Sequence, residues 1–219
     1  MSLRKLGLIC GIVSPLLWLA LIGVAGAMRP EFSHRTHYIS ELAEHGSSTE
    51  FMMRIAAFGF TGFLYVCFAL ALLATFRDRG WGWSTLAAVL VALDGVGRIG
   101  AGVFACDPGC AGFSTSQELH RLFATLGFLA GILAALAWGI ACRRHAWSPA
   151  LRWYSVGSGT LALTCLLLMS WTRNPVPAAG LFEHLATLIL SLWVLVLAVR
   201  LLHSPEPSCQ GRSRSRGAD

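Results

Sequence analysis

Residues 83–104 read WSTLAAVLVALDGVGRIGAGVF, an apolar run broken only by Asp94 and Arg98. Crossing the hydrocarbon core of a bilayer takes roughly 20 apolar residues as a helix, and this run has that length. A buried helix of a soluble domain would be shorter and would alternate with charged faces. The run is therefore read as a membrane span that carries two charges near its middle. Asp94 and Arg98 are four residues apart, which places them on one helical face. Each charge at that depth costs at least about 2.5–3.5 kcal/mol on insertion scales. Two readings of the pair stand side by side: a functional pair facing a cavity, or an internal ion pair that fixes packing. Gly95, Gly97, Gly100 and Gly102 surround it and give the span a small-residue surface for close helix approach.

Working outward, five more runs of similar length are expected to span: Leu6–Met28, Ile55–Phe76, Leu122–Cys142, Trp153–Thr172 and Leu181–Leu202. The composition agrees. The 219 residues are 55% hydrophobic and 13% charged, whereas a soluble domain carries about 25% charged residues. Mean hydropathy is +0.63. Arg4 and Lys5 ahead of the first run resemble the start of a signal peptide. That run is about twice a usual signal core and lacks a clear A-x-A exit, so it is expected to remain as the first span. The fold expected is an all-α bundle of six transmembrane helices, residues 1–202, followed by a disordered basic cytoplasmic tail, 203–219. The arginines of that tail could bind anionic lipid, but a solvated tail is the plainer reading.

Orientation is read from the basic residues. Arg4, Lys5, Arg77, Arg79, Arg143, Arg144, Arg152 and the tail arginines gather at one end of the bundle, with Trp81, Trp83, Trp147 and Trp153 beside them. The other end has Arg29, Arg35, Arg54, Arg121 and Arg173, thinly spread among acids. The positive-inside rule then places both termini in the cytoplasm of a plasma (inner) membrane protein. The net charge of +6 reads as anchoring at an anionic leaflet, with no nucleic-acid partner.

The three outer connections hold most of the chemistry-bearing side chains. Similar helix starts after them, IAAFGF, FATLGF and HLATLI, are compatible with three hairpin repeats. Ser47–Glu50 and Thr115–Glu118 each read S/T-x-x-E ahead of an apolar run, so Glu118 is expected to cap its helix. Cys106 and Cys110 flank Asp-Pro-Gly, a turn sequence that can bring two cysteines within disulfide range; a disulfide and two free thiols both remain open. His37, Ser40, Glu41 and Glu44 lie in the first outer loop, Asp107 in the second, His120 one turn into the fourth span, and Glu183 and His184 before the sixth.

The elements THYISELAEHG (36–46), GAGVFACDPGC (100–110) and ELH (118–120) resemble the six-span prokaryotic membrane family catalogued as "domain of unknown function 998". The resemblance runs from about Leu6 to Leu202 and implies an integral membrane protein without an assigned activity. A fainter likeness, to the ceramidase and adiponectin-receptor membrane hydrolases, would cast Ser40, Asp107, His120 and His184 around a metal. The chain departs from that group in having one span fewer and no paired-histidine motif.

The function expected is binding or transport of a lipid head group or small polar solute at an outer-facing pocket. Its lining is expected to include Ser40, Glu41, Asp107, His120 and His184, with Glu183, Asp94 and Arg98 adding polarity. The alternative is a metal-dependent hydrolase or transferase acting on lipid, with catalytic His120, Asp107 and Ser40. Imidazole and carboxylate suit zinc, although no H-x-x-x-H or H-E-x-x-H occurs.

Overall fold

A computed structural model describes residues 2–76, 82–144, 148–171 and 178–204. Arg77, Arg79, Trp81, Trp147, Thr172, Arg173 and the tail beyond Ser204 lie outside the described residues. Among the described residues, six helices are long and apolar enough to cross a membrane. They are α1 (Leu3–Met28), α2 (Met52–Phe76), α3 (Trp83–Val103), α4 (Thr115–Arg144), α5 (Pro149–Trp171) and α6 (Ala179–His203). Each packs on its neighbour in sequence, and α6 packs back on α1, so the helices close a ring. Apolar side chains such as Leu16, Val24, Phe63, Leu70, Leu133, Leu161 and Leu167 cover the outside, while Asp94 is buried. That distribution suits lipid outside and a polar interior. Only 28% of the apolar window of α5 is buried, against 39–56% for the other helices, so α5 is the most peripheral.

Close packing around α3 comes from glycine. A Cβ at Gly95 would stand 2.6 Å from the Gly62 carbonyl oxygen of α2, and one at Gly97 would stand 2.6 Å from Gly127 Cα of α4. Only hydrogen at these positions allows α3 to sit between its two neighbours. The first nine residues of α2, Met52–Phe60, wind as a wider π-type helix before the α-helix resumes at Thr61. Such widened turns occur frequently at functional sites, and Phe58 on this one reaches the polar interior described below.

Two apolar clusters make up most of the core, beside a smaller one of Ile132, Ala162 and Leu190. One, at the end holding the termini, includes Leu8, Phe68, Trp138, Trp193 and Leu197. The other includes Trp18, Ile22, Met53, Ala57 and Ala101 from the helices, together with Ile39, Leu42 and Ala43 from the connection between α1 and α2. That connection folds inward as a short 3-10 turn, Ile39–Ala43, and its buried apolar residues close the bundle like a stopper.

Two capping expectations need correction by one residue. Ser114 caps α4, since its Oγ accepts the Gln117 amide at 3.1 Å. Glu118 instead pairs with Arg121 at 2.7 Å on the surface. Ahead of α2, Glu50 accepts the amide of Gly46 at 2.8 Å, while Ser47 donates to Leu42. At α4 the residue beside the expected one has the geometry to bond the orphan amide, while at α2 the expected Glu50 bonds the amide one residue before Ser47.

Candidate functional site

The polar interior begins with α3. Asp94 lies ~14 Å below the Val103 end of that helix at 1.5 Å per residue, and Arg98 one turn nearer. Arg98 Nε donates to Asp94 Oδ1 at 3.0 Å. The guanidinium is held between two rings, 4.6 Å from the centre of Trp18 and 4.5 Å from that of Tyr65. Aromatic faces stabilise a desolvated cation, so the charge is compensated both in its plane and across it. Arg98 Nη1 remains buried with no partner among the described residues.

The end of α3 orients the next group. His120 Nδ1 lies 2.9 Å from Ala101 O and 2.8 Å from Phe104 O. A ring nitrogen between two carbonyl oxygens carries the proton, so Nδ1 donates, and in the neutral imidazole Nε2 is the lone-pair nitrogen. That Nε2 is buried with no partner among the described residues, and the residue is 3% exposed. The neighbouring carbonyls of Gly102 and Val103 accept from Arg54, each at 2.8 Å. Together Arg54 and His120 satisfy the carbonyls that a helix C-terminus leaves open.

Glu183 enters from the first turns of α6. It is 8% exposed, and its Oε2 accepts the Ile39 amide at 2.7 Å, tying α6 to the stopper. Ser40 follows Ile39 and lines the same region. These groups border a chamber whose volume open to the centre of a water molecule is ≈ 40 Å³. About 10–15 Å³ by that measure admits one water, so the chamber takes a few waters or a small ligand group. Trp18 of α1, Phe58 of α2, Asp94 and Arg98 of α3, His120 of α4 and Glu183 of α6 all contribute to its wall. Ser40, His120, Ala124, Phe128 and Glu183 also border a second cavity of ≈ 270 Å³, so the two adjoin. This larger cavity, the vestibule, has an apolar side formed by Leu129 of α4 and Leu166 and Met169 of α5, with Arg121 and Ser170 among its polar groups.

Ser40, Asp94, Arg98, His120 and Glu183 therefore converge, whereas Glu41, Asp107 and His184 do not line the chamber. Asp107 lies at the surface, where it accepts Oγ–H and N–H from Ser114 at 2.7 and 3.2 Å. Those hydrogen bonds hold its carboxyl below the usual carboxylate range. His184 turns away from Glu183: its Nδ1 lies 2.8 Å from Gly180 O and its Nε2 2.9 Å from His34 Nδ1. Glu41 is buried in the stopper and accepts the Tyr38 amide at 2.7 Å. Burial pushes its carboxyl up from the ordinary range. Among the described residues, no three His, Cys, Asp or Glu side chains meet in a metal-holding group.

Cys106 and Cys110 are joined by a disulfide, with Cα atoms 5.0 Å apart. Cys106 Sγ lies 3.4 Å from Ser40 O, its backbone oxygen accepts the His45 amide at 3.0 Å, and Glu44 accepts the Gly109 amide. The disulfide loop thus braces the stopper from which Ser40 projects. Trp18 and Tyr65 carry no signal in sequence that separates them from other aromatics of apolar spans. The Arg98 sandwich shows only in three dimensions.

Six apolar helices around a polar chamber define a multi-pass integral membrane protein. The chain belongs to the family described as "Protein of unknown function (DUF998)", whose family model matches residues 12–200. No curated protein and no solved structure matches it.

Proposed function

We propose that the protein binds the polar end of a membrane amphiphile in the chamber, with the apolar portion lying in the vestibule. A small polar solute using the chamber alone is the lesser form of the same reading. The supporting observation is three unpartnered buried atoms, Arg98 Nη1, Trp18 Nε1 and His120 Nε2, on groups that border one cavity. Buried polar atoms are nearly always hydrogen-bonded, so donors and an acceptor left open in one chamber suit an occupant that offers both kinds of partner. The apolar side of the adjoining vestibule suits acyl chain or other hydrocarbon. In this reading the chamber end of the bundle faces outward from the plasma membrane. The support is the crowding of basic residues at the other end.

The test is mass spectrometry of lipid retained by the purified protein, wild type against His120→Ala, with metal analysis of the same samples. Retained amphiphile that His120→Ala releases supports binding. Near-stoichiometric zinc that disappears in His120→Ala would instead favour the metal-dependent hydrolase or transferase acting on lipid. Neither lipid nor solute retained, with His120→Ala unchanged, would overturn the proposal.

A further inference from the structure

The chamber's charges are out of balance, and the imbalance specifies its occupant. Asp94 and Arg98 neutralise each other at 3.0 Å. Among the described residues, Glu183 has the Ile39 amide as its one hydrogen-bond partner and takes part in no ion pair. Among the described arginines near this end, Arg29 pairs with Glu31 and Glu44, Arg54 with Glu50 and Arg121 with Glu118, and Arg35 does not line the chamber. One buried carboxyl thus faces the chamber without a cation. A buried charge needs a partner or a proton. Beside it, His120 Nε2 offers a lone pair that no described group meets, so neither Glu183 nor any neighbour donates to it. Two acceptors, one of them a carboxyl, adjoin two unmet donors, Arg98 Nη1 and Trp18 Nε1.

We infer that the chamber recognises a primary ammonium group carried beside an oxygen acceptor. The ammonium N–H groups go to Glu183 and His120 Nε2, and the oxygen goes to Arg98 Nη1. An ammonium supplies three donors, brings the missing positive charge, and meets the aromatic walls of Phe58 and Phe128 at its methylene side. A hydroxyl or water would meet His120 and Arg98 but leave Glu183 unbalanced. An anionic head group would meet Arg98 and be repelled by Glu183. This inference rests on the proposed function and narrows it, because the ammonium can belong to a lipid head or to a free amino alcohol.

The experiment is a head-group series on the full-length protein in detergent, with Kd measured by native mass spectrometry. The ligands are short-chain phosphatidylethanolamine, its N-trimethylated counterpart, phosphatidylglycerol and free ethanolamine. Trimethylation keeps the charge and removes every N–H donor. Losing charge-assisted hydrogen bonds should then weaken binding at least about tenfold. Glu183→Gln keeps the shape and the acceptor for the Ile39 amide, and should reduce that preference to under about threefold. Tight phosphatidylethanolamine binding assigns the ammonium to a lipid; binding of ethanolamine alone assigns it to a solute; either supports the inference. Equal affinity for all three lipids, or tighter phosphatidylglycerol, would overturn ammonium recognition while leaving amphiphile binding intact. Absence of any binding would overturn both. The wild-type series decides the matter even if Glu183→Gln does not assemble.

Discussion

Replacing Asp94 with Asn keeps the size of the side chain and an oxygen for Arg98 Nε, but removes the negative charge. In the native protein the pair is 3.0 Å apart, with side chains 7% and 11% exposed. Breaking a buried pair by removing one partner costs about 3–5 kcal/mol, because the remaining charge stays buried. Two features place this case near the lower end. The Trp18 and Tyr65 faces continue to stabilise the guanidinium, and the chamber has room for a few waters near Nη1. We expect a loss of about 3 kcal/mol for Asp94→Asn. Removing both charges, Asp94→Leu with Arg98→Met, should leave stability unchanged or raise it by about 1–4 kcal/mol. The assay is unfolding in mixed micelles with increasing SDS, read by helical circular dichroism and arranged as a double-mutant cycle. A loss below about 1 kcal/mol for Asp94→Asn, with additive effects in the cycle, would refute a buried, coupled pair.

Four further outcomes follow from the same structure. Gly97→Ala places a Cβ 2.6 Å from the Gly127 backbone and should cost about 1–3 kcal/mol by forcing α3 and α4 apart. Gly157→Ala, with nothing within 4 Å of its Cβ, should be neutral or stabilising in the same unfolding assay. Replacing Cys106 and Cys110 together by serine opens a five-residue ring, which chain entropy values at about 2 kcal/mol; stability unchanged with and without reductant would contradict this. Burial raises the Glu41 carboxyl, so its contribution favours the folded state at low pH and is lost as pH climbs from the ordinary 4.5 through the folded value. Glu41→Gln should therefore gain stability relative to wild type at neutral pH and not at pH 4, as thermal melts across that range would show.

Hydropathy made the six spans legible because lipid imposes length and polarity on every crossing helix. The i,i+4 spacing of Asp94 and Arg98 made their pairing legible for the same local reason. Boundaries were harder: α4 begins at Thr115, before the apolar run at Leu122, because Ser114 caps it and its first turns face the chamber with His120. The membership of the site was only half legible. Glu183 and His184 are neighbours on one helix, about 100° apart around its axis, so only one can face inward. Asp107 finds its partners in Ser114 and Gln117 a few residues away, and local hydrogen bonds hold it at the rim. Nothing in the polar stretch 29–50 marks Ile39–Ala43 as a buried stopper, since its burial depends on helices distant in sequence.

Ala124 borders both the chamber and the vestibule, and so reports on the connection between them. Ala124→Cys would be made in a protein lacking Cys10, Cys67, Cys142, Cys165 and Cys209, and treated in intact cells with a membrane-impermeant thiol reagent. The predicted result is modification from outside, slowed by added phosphatidylethanolamine. Modification only from the cytoplasmic side, or at a rate indifferent to any lipid, would contradict an outward-facing chamber that binds an amphiphile.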